Sequence, residues 1–149
     1  MIKTLGRLES QLCDIQGRLF ERSLYKGLDS VDFIDKYMNS NTCDFLDMPY
    51  DRLHWAGEEY IMENLLDETA VRLMGENFSN EELYWTGYVY RYWHFLVGES
   101  SREIYVQAKA RRMRSCFPGF HTLDVVMAID NLKEIHQQEN LLKAGVAHC

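Results

Sequence analysis

The chain has 149 residues, of which 46% are hydrophobic and 26% charged, a balance that points to one globular domain and excludes a disordered or fibrous protein. No stretch approaches the ~18 apolar residues of a membrane span, Met1–Arg7 holds no apolar export segment, and Cys13, Cys43, Cys116 and Cys149 lack the close spacing of a secreted scaffold, so a cytoplasmic protein with free thiols is expected. The net charge of −7 is uneven: Asp51–Tyr90 carries nine acids and two bases, whereas from Arg91 onward eight bases face six acids, as either two solvated helix faces or a polarised partner surface would require.

Only Pro49 and Pro118 interrupt the chain, which favours long helices over a many-turned β fold. Leu5, Leu8, Leu12, Ile15 and Leu19 recur at steps of three and four, predicting an amphipathic helix from about Lys3 to Tyr25. Gly27 suits its end, and Asp29 or Ser30 caps a second helix that turns Val31, Phe33, Ile34, Tyr37 and Met38 inward. Asn39–Thr42 reads as a turn and Cys43–Met48 as a single helical turn. A helix from about Pro49 to Met74 follows, weakened at Gly57.

Gly75–Asn80 reads as a loop, with Ser79 or Asn80 capping a helix whose first turn holds Glu81 and Glu82. This helix runs to Val97, ends at Gly98 and packs eight rings into Leu83–Val97, seven of Tyr, Trp and Phe and the imidazole of His94. Ser100–Glu103 forms a capping box for a helix from Ser101 to about Ala110, with a continuation to Cys116 left open. Phe117–Phe120 breaks the chain, and Thr122 or Asp124 restarts it. Leu123, Val126, Met127, Ile129 and Leu132 then carry an apolar stripe to about Leu142, before a loose tail at Ala144–Cys149. The expected fold is an all-α, single-domain bundle of about six helices around the aromatic-rich helix.

The residues offer no catalytic signature. His54 and Glu58 stand four apart, but HExxH and paired ExxH elements are absent, so neither they nor the terminal His148-Cys149 pair defines a metal site. Cys116 and His121 flank the Phe-Pro-Gly-Phe break without the signature of a cysteine nucleophile. GxSxG, Walker A and GxGxxG motifs are missing too, so no catalytic residue, metal or cofactor is assigned.

Two surfaces remain as binding candidates. On the aromatic helix, Trp85, Val89 and Trp93 form one line assigned to the core, while Tyr88, Arg91, Tyr92 and His94 are assigned to partner contact. The basic segment Arg102, Lys109, Arg111, Arg112 and Arg114 is the second surface. A helix-turn-helix reading, with Arg111, Arg112 and Arg114 on phosphates, ranks behind a protein partner because the chain as a whole is acidic.

The run Tyr84-Trp85-Thr86-Gly87-Tyr88-Val89-Tyr90-Arg91-Tyr92-Trp93-His94, followed by Gly98–Tyr105 and Phe120-His121-Thr122-Leu123-Asp124, resembles a family of small helical bacterial proteins, typical of Firmicutes, encoded beside an ADP-ribosyltransferase-type toxin. The likeness covers about Leu83–Leu132, a third of the chain. It implies the antitoxin or immunity member of a toxin–antitoxin pair, acting by binding the toxin, and it carries no catalytic residues over to this chain.

Overall fold

The computed structural model describes residues 5–148, with side chains given through residue 145. These residues form α1 (Arg7–Tyr25), α2 (Ser30–Met38), α3 (Asn41–Asp47), a 3-10 turn (Arg52–Trp55), α4 (Gly57–Glu68), α5 (Asn80–Val97), α6 (Ser101–Gln107), α7 (Ala110–Phe120) and α8 (Val125–His148). The architecture is all-helical, with eight α-helices among the described residues in place of about six. No described helix is long and apolar enough to cross a membrane.

Helix ends follow local chemistry. The Asp29 side chain accepts from Asp32 N at the start of α2, and Ser79 and Glu82 close a reciprocal capping box at the start of α5. Ser100 accepts from Glu103 N at the start of α6. Gly98 ends α5 at φ 84°, a left-handed conformation that a Cβ would disfavour.

The helices α1 and α5 lie against each other over their most extensive shared face, and glycine sets their spacing. A Cβ on Gly87 would stand 2.6 Å from the Gln16 carbonyl oxygen, and one on Gly17 would stand 2.7 Å from the Tyr84 ring. Around this contact, Leu19, Phe20, Phe33, Ile34, Tyr37, Val89, Tyr90 and Trp93 are fully buried. Phe20 meets Phe33 and Tyr37 edge-on, with ring centroids 5.2 and 5.4 Å apart, a favoured aromatic geometry.

Three segments depart from the predicted pattern. The helix expected over Pro49–Met74 is divided: Gly57 adopts φ 81°, so the 3-10 turn and α4 are separate. Beyond Glu68 the chain becomes an extended strap bonded to the α1–α2 corner, with Asp29 N donating to Arg72 O at 2.8 Å and Met74 N to Gly27 O at 2.9 Å. The carboxylates of Asp29 and Asp32 accept from Glu76 N and Arg72 N, giving the strap partners that a helix would have supplied internally.

Next, the expected break at Phe117–Phe120 does not occur, because a separate helix, α7, runs through it; α6 ends at Gln107, near the expected end at about Ala110, and the chain breaks at Ala108–Lys109. Ala108 is buried, and its carbonyl accepts the Tyr90 hydroxyl at 2.5 Å, a tertiary bond in place of helix continuation. Pro118 lies inside the last turn of α7 on its exposed side, so the helix carries through a residue that cannot donate to the preceding turn. Finally, the predicted Asn39–Thr42 turn is confined to Asn39 and Ser40, with Asn41 and Thr42 already in α3 behind the Ser40 cap, and α8 continues past Leu142 to His148. The predicted start at Lys3 and the residue Cys149 lie outside the described residues.

Candidate functional site

The predicted contact residue Arg91 is internal. It is 1% exposed, and its guanidinium is met on every side. Nε and Nη2 donate to Gln16 Oε1 at 3.0 and 2.9 Å, Nη1 donates to Asp47 Oδ1 at 2.6 Å, and Nη2 lies 3.4 Å from Cys43 Sγ. Gln16 Oε1 also accepts the Tyr37 hydroxyl at 2.7 Å, while its Nε2 donates to Gly87 O at 2.8 Å. Asp47 accepts from Ser101 Oγ at 2.7 Å and from Ser101 N at 2.8 Å. The assignment of Arg91 to a partner surface is therefore corrected: a charge can be buried when paired and hydrogen-bonded, and α1, α3 and α6 supply those groups.

The electrostatics of this node are those of a closed structural element. Burial opposes the charge of Arg91, yet its environment strengthens the guanidinium's hold on its proton. Burial pushes the Cys43 thiol up to about 11 and the Tyr37 hydroxyl well above its ordinary range, so both stay neutral and Asp47 is the counter-charge. Burial would raise the Asp47 carboxyl, but Arg91 and the Ser101 hydrogen bonds outweigh it and hold the group below its usual range. The adjoining cavity, lined by Leu12, Gln16, Tyr37 and Arg91 among others, has a volume of about 10 Å³. That is room for about one water and no substrate.

The other α5 candidates are only partly accessible. Tyr84, Tyr88 and Tyr92 form a half-buried row with successive centroids 6.0 and 6.2 Å apart, anchored where the Tyr84 hydroxyl donates to Asp14. His94 is held by Glu99 O at Nδ1 and by Asp47 O at Nε2. Val89 and Trp93 are buried; Trp85 is half-buried and meets Phe117 edge-on.

The basic segment is engaged within the molecule. Arg102 grips Asp44 through Nε and Nη2, Arg111 and Arg114 share Glu76, and Arg112 pairs with Glu139. Arg114 also lies over the Phe78 ring at 4.8 Å. Phosphate binding would have to compete with these pairs, and α6, which a helix-turn-helix reading would place after the Gly98–Ser100 turn, buries Ser101, Ile104 and Tyr105. Lys109 remains exposed at the α6–α7 junction.

Of the catalytic and metal candidates weighed in the sequence, His54 is buried in the 3-10 turn with Nε2 on Leu46 O at 3.0 Å. The break at Gly57 puts it off the helix face of Glu58. His121 Nδ1 lies 2.7 Å from Phe117 O and its ring stacks on Phe117, while burial raises the neighbouring Cys116 thiol, the opposite of nucleophile activation. Among the described residues no three His, Cys, Asp or Glu side chains converge as a metal site.

A surface that the sequence pattern does not announce lies on the corner built by α3, the 3-10 turn and α4. Phe45 (45% exposed), Met48, Tyr50 (94%), Trp55 (75%) and Tyr60 all project into solvent there. Phe45, Arg52, Leu53 and Tyr60 line one hollow of about 110 Å³, and Arg52, Leu53, Trp55 and Tyr60 line the hollow beside it. Tyr50 is held at φ 65°, which is uncommon for a residue with a Cβ. The segment is too short and too often interrupted, by Pro49 and Gly57, to show a helical stripe; its one legible signal is the spread of Phe45, Tyr50, Trp55 and Tyr60 on and around these two breakers. No protein-family model, no curated protein and no solved structure matches the chain.

Proposed function

We propose that this protein is a protein-binding module, the antitoxin or immunity partner of a bacterial toxin, acting in the cytoplasm by direct contact and without chemistry of its own. In this reading α5, organised around its buried arginine, is the scaffold, and the α3–α4 corner is the contact surface. The observation that carries it is the projection of Phe45, Met48, Tyr50, Trp55 and Tyr60 from one corner, with Arg52 among them. Clustered exposed apolar side chains mark interaction sites, and Trp, Tyr and Arg are the residues that dominate binding energy. The antitoxin assignment draws on the likeness of Leu83–Leu132 to helical proteins encoded beside an ADP-ribosyltransferase-type toxin.

Co-expression with the product of the neighbouring toxin gene tests it. A stable complex and rescue of growth are expected, and both should be lost on Trp55→Ala with Tyr60→Ala while the variant stays folded. Absence of both complex and rescue with the unaltered protein would refute the assignment.

A further inference from the structure

The net charge of the molecule sits where its apolar surface is exposed. Residues 41–68 carry Asp44, Asp47, Asp51, Glu58, Glu59, Glu63, Asp67 and Glu68 against Arg52 alone, a balance of −7 that equals the net charge of the whole chain and leaves the rest neutral. Some of these acids are used internally. Asp44 pairs with Arg102, Asp47 with Arg91, and Glu58 and Glu59 face Arg18 and Arg22 from α1. Glu68 accepts from Asn41 N, Thr42 N and the Thr42 hydroxyl at the start of α3.

Glu63 and Asp67 have no hydrogen-bond or ion-pair partner among the described residues, and both are exposed. Along α4 they follow Tyr60 at steps of three and four, so ring and carboxylates form one continuous outward strip beside the hollows. Arg52, also unpaired among the described residues, lines both hollows, and Asp51 next to it lines one of them, so the formal charges at the hollows themselves cancel. The corner therefore presents exposed aromatic rings, with two unpaired carboxylates continuing outward from Tyr60 along α4.

We infer that the partner face seated on this corner is basic: Lys or Arg side chains reach Glu63 and Asp67 while one or two large apolar side chains enter the hollows over Leu53. The inference rests on the protein-binding reading of the same corner. Charge complementarity accelerates encounter and fixes orientation, and a cation brought to these carboxylates also stands beside the Tyr60 ring on the same helix. An anionic partner face would stand against two unpaired carboxylates and is disfavoured.

The test uses two amphipathic helical peptides with the same leucine and tryptophan face, one with lysines on its polar side and one with glutamates, titrated into the full chain by calorimetry. The lysine peptide should bind at least about tenfold more tightly, and raising salt from about 0.05 to 0.5 M should weaken it, since the Debye length shortens. Glu63→Lys with Asp67→Lys should cost the lysine peptide about tenfold or more. Asp130→Lys with Glu134→Lys, the same net change on exposed positions of α8, should change binding by less than about twofold if local complementarity and not total charge is responsible.

Trp55→Ala with Tyr60→Ala should abolish binding with circular dichroism and the urea midpoint unchanged. If this aromatic double variant binds as well as the parent, the protein-binding reading of the corner falls and the inference falls with it. If the aromatic variant loses binding but both peptides bind the parent equally, or the Glu63/Asp67 reversal does no more than the α8 control, the corner stands and the basic partner is overturned. Preferential adsorption to phosphatidylcholine vesicles over either peptide would likewise overturn it.

Discussion

Two regions of this molecule use the same residue types for opposite ends. In α5, Arg91 stands among Tyr88, Tyr90, Tyr92 and Trp93 and is 1% exposed; at the α3–α4 corner, Arg52 stands among Tyr50, Trp55 and Tyr60 and is exposed. The difference lies in what the neighbouring elements offer. Arg91 has Gln16 from α1 and Asp47 from α3, which satisfy its donors in the interior. Among the described residues Arg52 has no such partner, and none of their helices lies over its exposed aromatic neighbours. Hot-spot composition marks a binding surface only where the fold leaves it uncovered.

Substitutions that attack the interior should have the largest effects. Arg91→Ala leaves Asp47 buried without its counter-charge and should cost about 3–5 kcal/mol in urea unfolding, a typical loss when one member of a buried pair is removed. Arg91→Met with Asp47→Asn should recover much of that loss, because replacing both charges removes the uncompensated one. A double variant no more stable than Arg91→Ala would show that the pair is not the origin of the cost.

Gly87→Ala comes next. Its new methyl meets the Gln16 carbonyl and the Phe20 ring, so the α1–α5 contact must open, at a cost of about 1–3 kcal/mol in the same assay. Little change would mean that α1 and α5 slide apart easily and that their close approach is not needed.

Acid should act on the node through Asp47. Its carboxyl titrates lower in the folded than in the unfolded chain, so the stability it contributes is fully present above the ordinary aspartate range, about pH 4. That stability is lost as pH falls through the depressed folded value. Unfolding free energy should therefore fall with acid below about pH 4, and Asp47→Asn should flatten that fall relative to the parent. An identical acid slope in both proteins would remove Asp47 from the account.

The corner should respond least in stability. Trp55→Ala and Tyr60→Ala should each shift unfolding by no more than about 0.5 kcal/mol, since neither is buried, while removing partner binding. A loss of several kcal/mol would place these rings in the core and not on an interface.

Much of the fold is legible in local chemistry. The Ser79 capping box, Asp29 as the α2 cap, the Gly98 stop and the inward set Phe33, Ile34, Tyr37 and Met38 all follow from a few adjacent residues. The misreadings have long-range causes. The break between α6 and α7 depends on a hydroxyl 18 positions away, from Tyr90 to Ala108 O, and the strap after α4 depends on the carboxylates of Asp29 and Asp32. Arg91 reads as a surface residue until Gln16, 75 positions earlier, is brought beside it. At the corner, periodicity had too little chain to act on between Pro49 and Gly57, and exposure of Trp55 follows from the absence of a covering element, which no local pattern encodes.

The most direct test is oxidative footprinting of the protein co-expressed with its proposed toxin partner, read by mass spectrometry against the free protein. Protection of Tyr50, Trp55 and Tyr60, with Tyr84, Tyr88 and Tyr92 unchanged, is the predicted result. Protection of the α5 tyrosine row with the corner still open to oxidation would contradict it and return the contact surface to α5.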